Sequence, residues 1–162
     1  SQILEAAEDA DDLDLLSRLM LRTSARNQLH GRIRQIDSLG HNDLITLELA
    51  GGLTLTAQIT RDSTHTLELQ LGAPVLALIK AGWLELHPVD APAIPGNNSL
   101  TGEISEILDA EDGPTEVRIR LSNQQTLCAL AQPEHLHALA LKTGSAVQVQ
   151  CAPSNVLLGT PI

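Results

Sequence analysis

The chain has 162 residues with no Phe, no Tyr and a single tryptophan, Trp83, and its formal net charge is -10. That composition argues against nucleic-acid binding by this chain, which draws on aromatic stacking platforms for single strands and on a basic stripe for the phosphate backbone. There is no Cys-x-x-Cys pair, signal peptide or long apolar span, so Cys128 and Cys151 read as reduced, buried thiols of a cytoplasmic protein without a membrane partner.

Residues 1–22 read as a linker or helical tail. An acidic stretch (Glu5, Glu8, Asp9, Asp11, Asp12, Asp14) gives way to Leu15, Leu16 and Leu19, which share one helical face. The tail has the character of a connection to something upstream, and a chain opening at Ser1 reads as a processed protein or an excised domain. From residue 28 the period changes to two. Leu53, Leu55, Ala57 and Ile59 alternate with Thr54, Thr56 and Gln58, and Val117, Ile119 and Leu121 do the same further on. Turn chemistry separates the runs at Gly40-His41-Asn42-Asp43, Gly51-Gly52, Asp112-Gly113-Pro114 and Ser122-Asn123-Gln124. Short helices are expected near 61–69 and from Pro133 to Ala140, with Pro133 in the first helical turn.

The pattern is stated twice. Asn27-Gln28-Leu29-His30-Gly31-Arg32-Ile33 returns as Asn98-Ser99-Leu100-Thr101-Gly102-Glu103-Ile104, and 102 minus 31 is 71. Gly72 and Gly144 each precede an apolar run, 75–79 and 147–151. A repeat of this length means two copies of one small domain, here 23–90 and 91–162. Each reads as three strands, a short helix and two strands, the order of an OB-type barrel. The fold class is therefore all-β: tandem OB-like five-stranded barrels, each with a short helix, after an N-terminal linker helix. A unit of about 65 residues buries only about 60% of its unfolded surface, so it needs its twin or another chain.

The copies differ where chemistry would sit. The first is led by Thr23-Ser24-Ala25-Arg26 and has Lys80 eight residues after Gly72; the second has Asn97 where Arg26 would repeat and Ala152 where Lys80 would. Arg26 brings a planar fork of donors suited to an oxyanion. Thr23 and Ser24 add hydroxyls, and Thr60 and Ser63 stand at a strand-to-helix junction with N–H groups to offer. The same residues also suit plainer roles: Ser24 and Thr60 as caps, Lys80 as a strand-end lysine reaching water, Arg26 as the partner of an acidic neighbour. Arg32, Arg34, Arg118 and Arg120, alternating with Ile33 and Ile119, read as solvated strand faces.

The segment Thr23-Ser24-Ala25-Arg26-Asn27-Gln28 followed by Gly31, with Lys80-Ala81-Gly82-Trp83, resembles the signature of the Mop or molbindin family, OB-like modules that bind molybdate and tungstate. Two modules behind a helical tail resemble the C-terminal half of a molybdate-responsive transcriptional regulator. The resemblance implies that Ser24, Arg26, Thr60, Ser63 and Lys80 are oxyanion ligands, with Ala25 and Ala81 as backbone donors. It implies a site between subunits of a homodimer, and DNA contact only through a winged helix-turn-helix domain absent from this chain. The sequence departs from relatives at Leu29-His30, where larger aromatic residues are frequent. A cytoplasmic molybdate store of the same fold is the alternative, although a store would be expected to keep the signature in both copies. The histidines show no metal-ligand spacing, neither lysine lies in a phosphate loop, and no nucleophile–base set stands out. The expectation is a binding protein without metal-cation, organic-cofactor or enzymatic chemistry.

Overall fold

The computed structural model describes residues 26–160. The expected helix of residues 2–22, and Thr23, Ser24 and Ala25, lie outside them. In chain order the elements are β1 (Asn27–Leu39), β2 (Asn42–Leu49), β3 (Thr54–Thr60), α1 (Arg61–Thr66), β4 (Pro74–Ile79), β5 (Glu85–Pro88), β6 (Asn98–Leu108), β7 (Thr115–Leu121), β8 (Thr126–Ala131), α2 (Pro133–Ala138), β9 (Ala146–Cys151) and β10 (Leu157–Gly159). Short 3-10 turns follow β4 at Ala81–Trp83 and β9 at Pro153–Asn155. The strand, helix and turn pattern of the first half is thus repeated in the second, and Pro133 does open α2.

Two five-stranded antiparallel sheets result, ordered β10-β4-β1-β2-β3 and β5-β9-β6-β7-β8. The fifth strand of each repeat does not join its own sheet. β5 pairs with β9 through Leu86↔Val149, and β10 pairs with β4 through Leu158↔Ala77. The outer edges of each sheet approach one another, β3 touching β10 and β8 touching β5, which curls both sheets toward closure. A register shift after Ile33 in β1 recurs after Ile104 in β6 and bends the long first strand of each repeat at the same place.

The core follows the alternation. Ile33, Ile45, Leu47, Leu55 and Ala57 are buried in the first repeat, and Ile104, Val117, Ile119, Leu127 and Ala129 in the second, all within one continuous apolar cluster. Exchange of the fifth strands makes that continuity possible, because Leu86 is only 2% exposed within the other repeat's sheet. Burying one such leucine contributes about 2 kcal/mol.

The repeated glycines have a steric cause. A Cβ at Gly31 would lie 2.7 Å from the Glu48 carbonyl oxygen, and one at Gly102 would lie 2.5 Å from Ile119 Cγ2 and 2.8 Å from the Arg120 carbonyl oxygen. Only glycine lets β1 cross β2, and β6 cross β7, at that distance.

Two asparagines join the halves. Asn27, at the start of β1, accepts from the Cys128 N–H at 2.7 Å and donates to the Cys128 carbonyl at 2.9 Å and the Ile79 carbonyl at 3.1 Å. Asn98, at the start of β6, accepts from the Thr56 N–H and donates to the Thr56 carbonyl, both at 2.8 Å. Each amide acts as one residue of an extra strand against the free edge of the other repeat. Cys128 and Thr56 are themselves equivalent, since 128 minus 56 is 72.

Candidate functional site

The β1–β4 register positions two cations. Asn27↔Ile79 is its last pair, so the next residues on each side are Arg26 and Lys80. The Arg26 side chain is 56% exposed, with one guanidinium nitrogen 2.9 Å from Glu116 Oε1. Lys80 leads into the 3-10 turn, and its Nζ lies 5.0 Å from the centre of the Trp83 ring, a cation–π contact that restrains the ammonium. Ala81, 5% exposed, begins the turn, whose leading N–H groups have no partner inside it. The turn rests on β8, as does Asn27, so this end of the first sheet is built against the second repeat.

Glu116 on β7 was not among the residues the sequence singled out. Its side chain is 17% exposed; Oε1 meets Arg26, and Oε2 is 3.4 Å from Arg118, which in turn holds Glu106 at 3.1 Å. The Cys128 thiol donates to the same carboxylate, and that hydrogen bond, with the two guanidinium groups, holds the Glu116 carboxyl below its ordinary range against the opposing effect of burial. Burial, reinforced by the neighbouring carboxylate, pushes the Cys128 thiol up to about 11. Arg118 is therefore engaged on both sides rather than simply solvated, whereas Arg34 is 60% exposed and only 3.9 Å from Glu48.

Thr60 and Ser63 lie elsewhere in the chain. Thr60 pairs with Asn42 on β2, beyond the Leu39 end of β1, whereas Arg26 adjoins the Asn27 end. Thr60 caps α1: its Oγ1 accepts from the Ser63 N–H at 3.1 Å and shares a 2.8 Å hydrogen bond with Ser63 Oγ. The structure thus brings Arg26, Lys80 and Ala81 together and leaves Thr60 and Ser63 at the opposite end of the same sheet. Ser24 and Ala25 lie outside the described residues.

None of these groups is duplicated in the second repeat. Asn97 stands for Arg26 and donates to Gln150 Oε1 at 3.3 Å. Ala152 stands for Lys80 at the head of the matching turn. Gln132 stands for Thr60 without capping α2, and His135, in the place of Ser63, contacts the Leu86 carbonyl at 2.8 Å. Among the described residues no three His, Cys, Asp or Glu side chains group closely enough to hold a metal cation, and no helix is long and apolar enough to cross a membrane.

Two exchanged antiparallel β-domains, one with a cationic end and one without, define a tandem binding-domain protein. The chain belongs to the TOBE-domain family, whose pattern matches residues 23–86 and 95–158. It is 39% identical over 151 residues to the transcriptional regulator ModE of Yersinia pestis, covering 91% of this chain and 56% of that one. To the molybdenum-pterin-binding protein MopA of Rhodobacter capsulatus it is 32% identical over 164 residues, covering 98% and 61%. The chain thus spans a little over half the length of these relatives. Among solved structures it is similar to the cytoplasmic molybdate-binding protein ModG in a molybdate-bound form, with a TM-score of 0.82, 29% identity and coverage of 87% of this chain and all of that one.

Proposed function

We propose that this chain is the molybdate- or tungstate-sensing part of a dimeric transcriptional regulator, with one oxyanion site per chain. The observation that carries the reading is that Arg26 and Lys80 both adjoin the last β1–β4 pair, at one end of the first sheet, whereas their counterparts Asn97 and Ala152 carry no charge. A dianion taken from water needs charged donors, and here it would meet a guanidinium fork, an ammonium and the leading N–H groups of the turn at Ala81. Ser24 and Ala25 adjoin Arg26 in sequence. Thr60 and Ser63, which one chain holds at the far end of the sheet, complete the set when a second copy presents its α1 junction to the first copy's Arg26. That geometry supports a homodimer with the site between subunits. The similarity to ModE supports a sensor attached to an upstream winged helix-turn-helix domain, so that DNA contact is made outside this chain in a cytoplasmic regulator. A storage role, the alternative for this fold, is disfavoured because the second repeat has Asn97 and Ala152 in place of Arg26 and Lys80.

Calorimetric titration with molybdate, sulfate and phosphate tests the reading, with Trp83 fluorescence as a second signal because Lys80 lies over its ring. Molybdate is expected to bind at about one per chain, and Arg26→Ala to weaken it by roughly 2–3 kcal/mol, the worth of a charge-assisted pair. Arg120→Ala should have no effect. Absence of a molybdate response in the wild-type protein sinks the proposal; two equally tight sites per chain would favour storage.

A further inference from the structure

The second repeat lacks the cations of the first, but it carries one charged group that the first lacks. Glu116 precedes Val117 on β7, as Leu44 precedes Ile45 on β2; Val117↔Ala129 and Ile45↔Ala57 are equivalent pairs, and 116 minus 44 is 72. The Arg26–Glu116 ion pair therefore has Asn97 and Leu44 as its pseudo-equivalents, which cannot form one. Of the two equivalent positions, 116 and 44, only the one that faces an arginine carries a carboxylate.

Glu116 is a fixed post rather than a loose surface charge. Its side chain is 17% exposed, Arg118 holds its second oxygen, and Glu106 anchors Arg118 from the far side. Arg26 is the more exposed partner, 56% exposed on a long side chain that the carboxylate tethers. An arginine that grips an anion must give up rotamer freedom, and one already tethered has lost part of it before the ligand arrives. The guanidinium has five N–H donors, and the ion pair engages those on one terminal nitrogen, so tether and ligand can be held together.

We infer that Glu116 is a positioning residue for oxyanion capture: from the second repeat it fixes the guanidinium of Arg26 in the orientation that the first-repeat site uses. The inference rests on the molybdate reading and extends it, for it makes the repeat that lacks Arg26 and Lys80 a working part of the site. The repulsion between a carboxylate and a dianion acts in the opposite sense, so the direction of the effect is itself diagnostic.

A double-mutant cycle decides it, with sodium molybdate titrated calorimetrically into wild type, Glu116→Leu, Arg26→Ala and the double variant. Leucine is the residue this fold already accepts at the equivalent position 44. Glu116→Leu is expected to bind about tenfold more weakly, the loss of part of the preorganisation of one side chain, and to add no further loss once Arg26 is alanine. Unchanged or tighter binding by Glu116→Leu overturns the inference. So does an equal loss in both backgrounds, which would mean that Glu116 acts through the fold and not through Arg26. Wild type that binds no molybdate removes the parent reading, and the inference with it, a result distinct from either of those. A second measurement needs no variant: NMR relaxation of the Arg26 Nε–H group in ligand-free protein should show a rigid side chain, and nanosecond mobility there would refute the tether.

Discussion

Replacing Asn98 by alanine tests how the two repeats are held together, at a position away from the proposed site. The amide is 8% exposed and makes two 2.8 Å hydrogen bonds to the backbone of Thr56 on the free edge of β3, with a weaker approach of 3.8 Å to Cys151 Sγ. Each good bond contributes about 1 kcal/mol net, and a buried backbone group left unmade costs about 1–3 kcal/mol. Thr56 is only half-buried, so water relieves part of the second effect, and the expected loss is about 2–3 kcal/mol. Urea unfolding followed by Trp83 fluorescence should show the midpoint falling by roughly 1 M, with an unchanged slope. Asn123→Ala is the control. Its amide also bridges the repeats, to the Ala50 carbonyl at 2.9 Å at an exposed position, and otherwise bonds only Gln125 in its own turn, so the expected loss is about 1 kcal/mol. If Asn98→Ala loses no more than Asn123→Ala, the amide is not a clasp and solvent replaces it freely.

Further outcomes follow from packing and titration. Gly102→Ala should lose roughly 1–3 kcal/mol because its new Cβ meets Ile119 and the Arg120 carbonyl, and a melting temperature equal to wild type would show that β6 can move aside. With the Cys128 thiol raised in the folded state, stability is whole below its ordinary value of 9.0 and is lost as pH rises toward about 11; urea midpoints should fall across that window, and less so in Cys128→Ala. The lowered Glu116 carboxyl acts in the reverse sense. Its contribution is present above the ordinary value of 4.5 and is lost as pH falls through the depressed one, so Glu116→Gln should flatten the acid limb of the stability curve.

Much of the fold was legible because period-two burial is a local property. The alternation at Leu53, Leu55, Ala57 and Ile59 gave β3, Gly31 and Gly102 marked the close crossings, and Pro133 marked the start of α2. Strand exchange was not legible. The segment Glu85-Leu86-His87-Pro88 reads as a strand whichever sheet receives it, and nothing in its side chains names β9 as the partner. Arg26 and Lys80 stand out from charge and repeat asymmetry together. Thr60 and Ser63 show the limit of that method, since the atoms that suit an anion also suit a helix cap, and in one chain they form the cap. Glu116 was missed because an acid in an acidic chain carries no signal by itself; its signal was Leu44 at the matching position. Arg118 was read as solvated because alternation reports the face of a strand and not the charges that share it.

The crossed fifth strands set an order on synthesis. The first repeat emerges from the ribosome with β4 already made, but the strand that borders β4 is residues 157–159, the last strand described. Until those residues appear, β4 has an open edge. The N-terminal domain can therefore be completed only after translation has passed through the C-terminal one. A ribosome that stops early leaves not one finished domain and a stub but an exposed edge, the kind of surface that chaperones and proteases recognise.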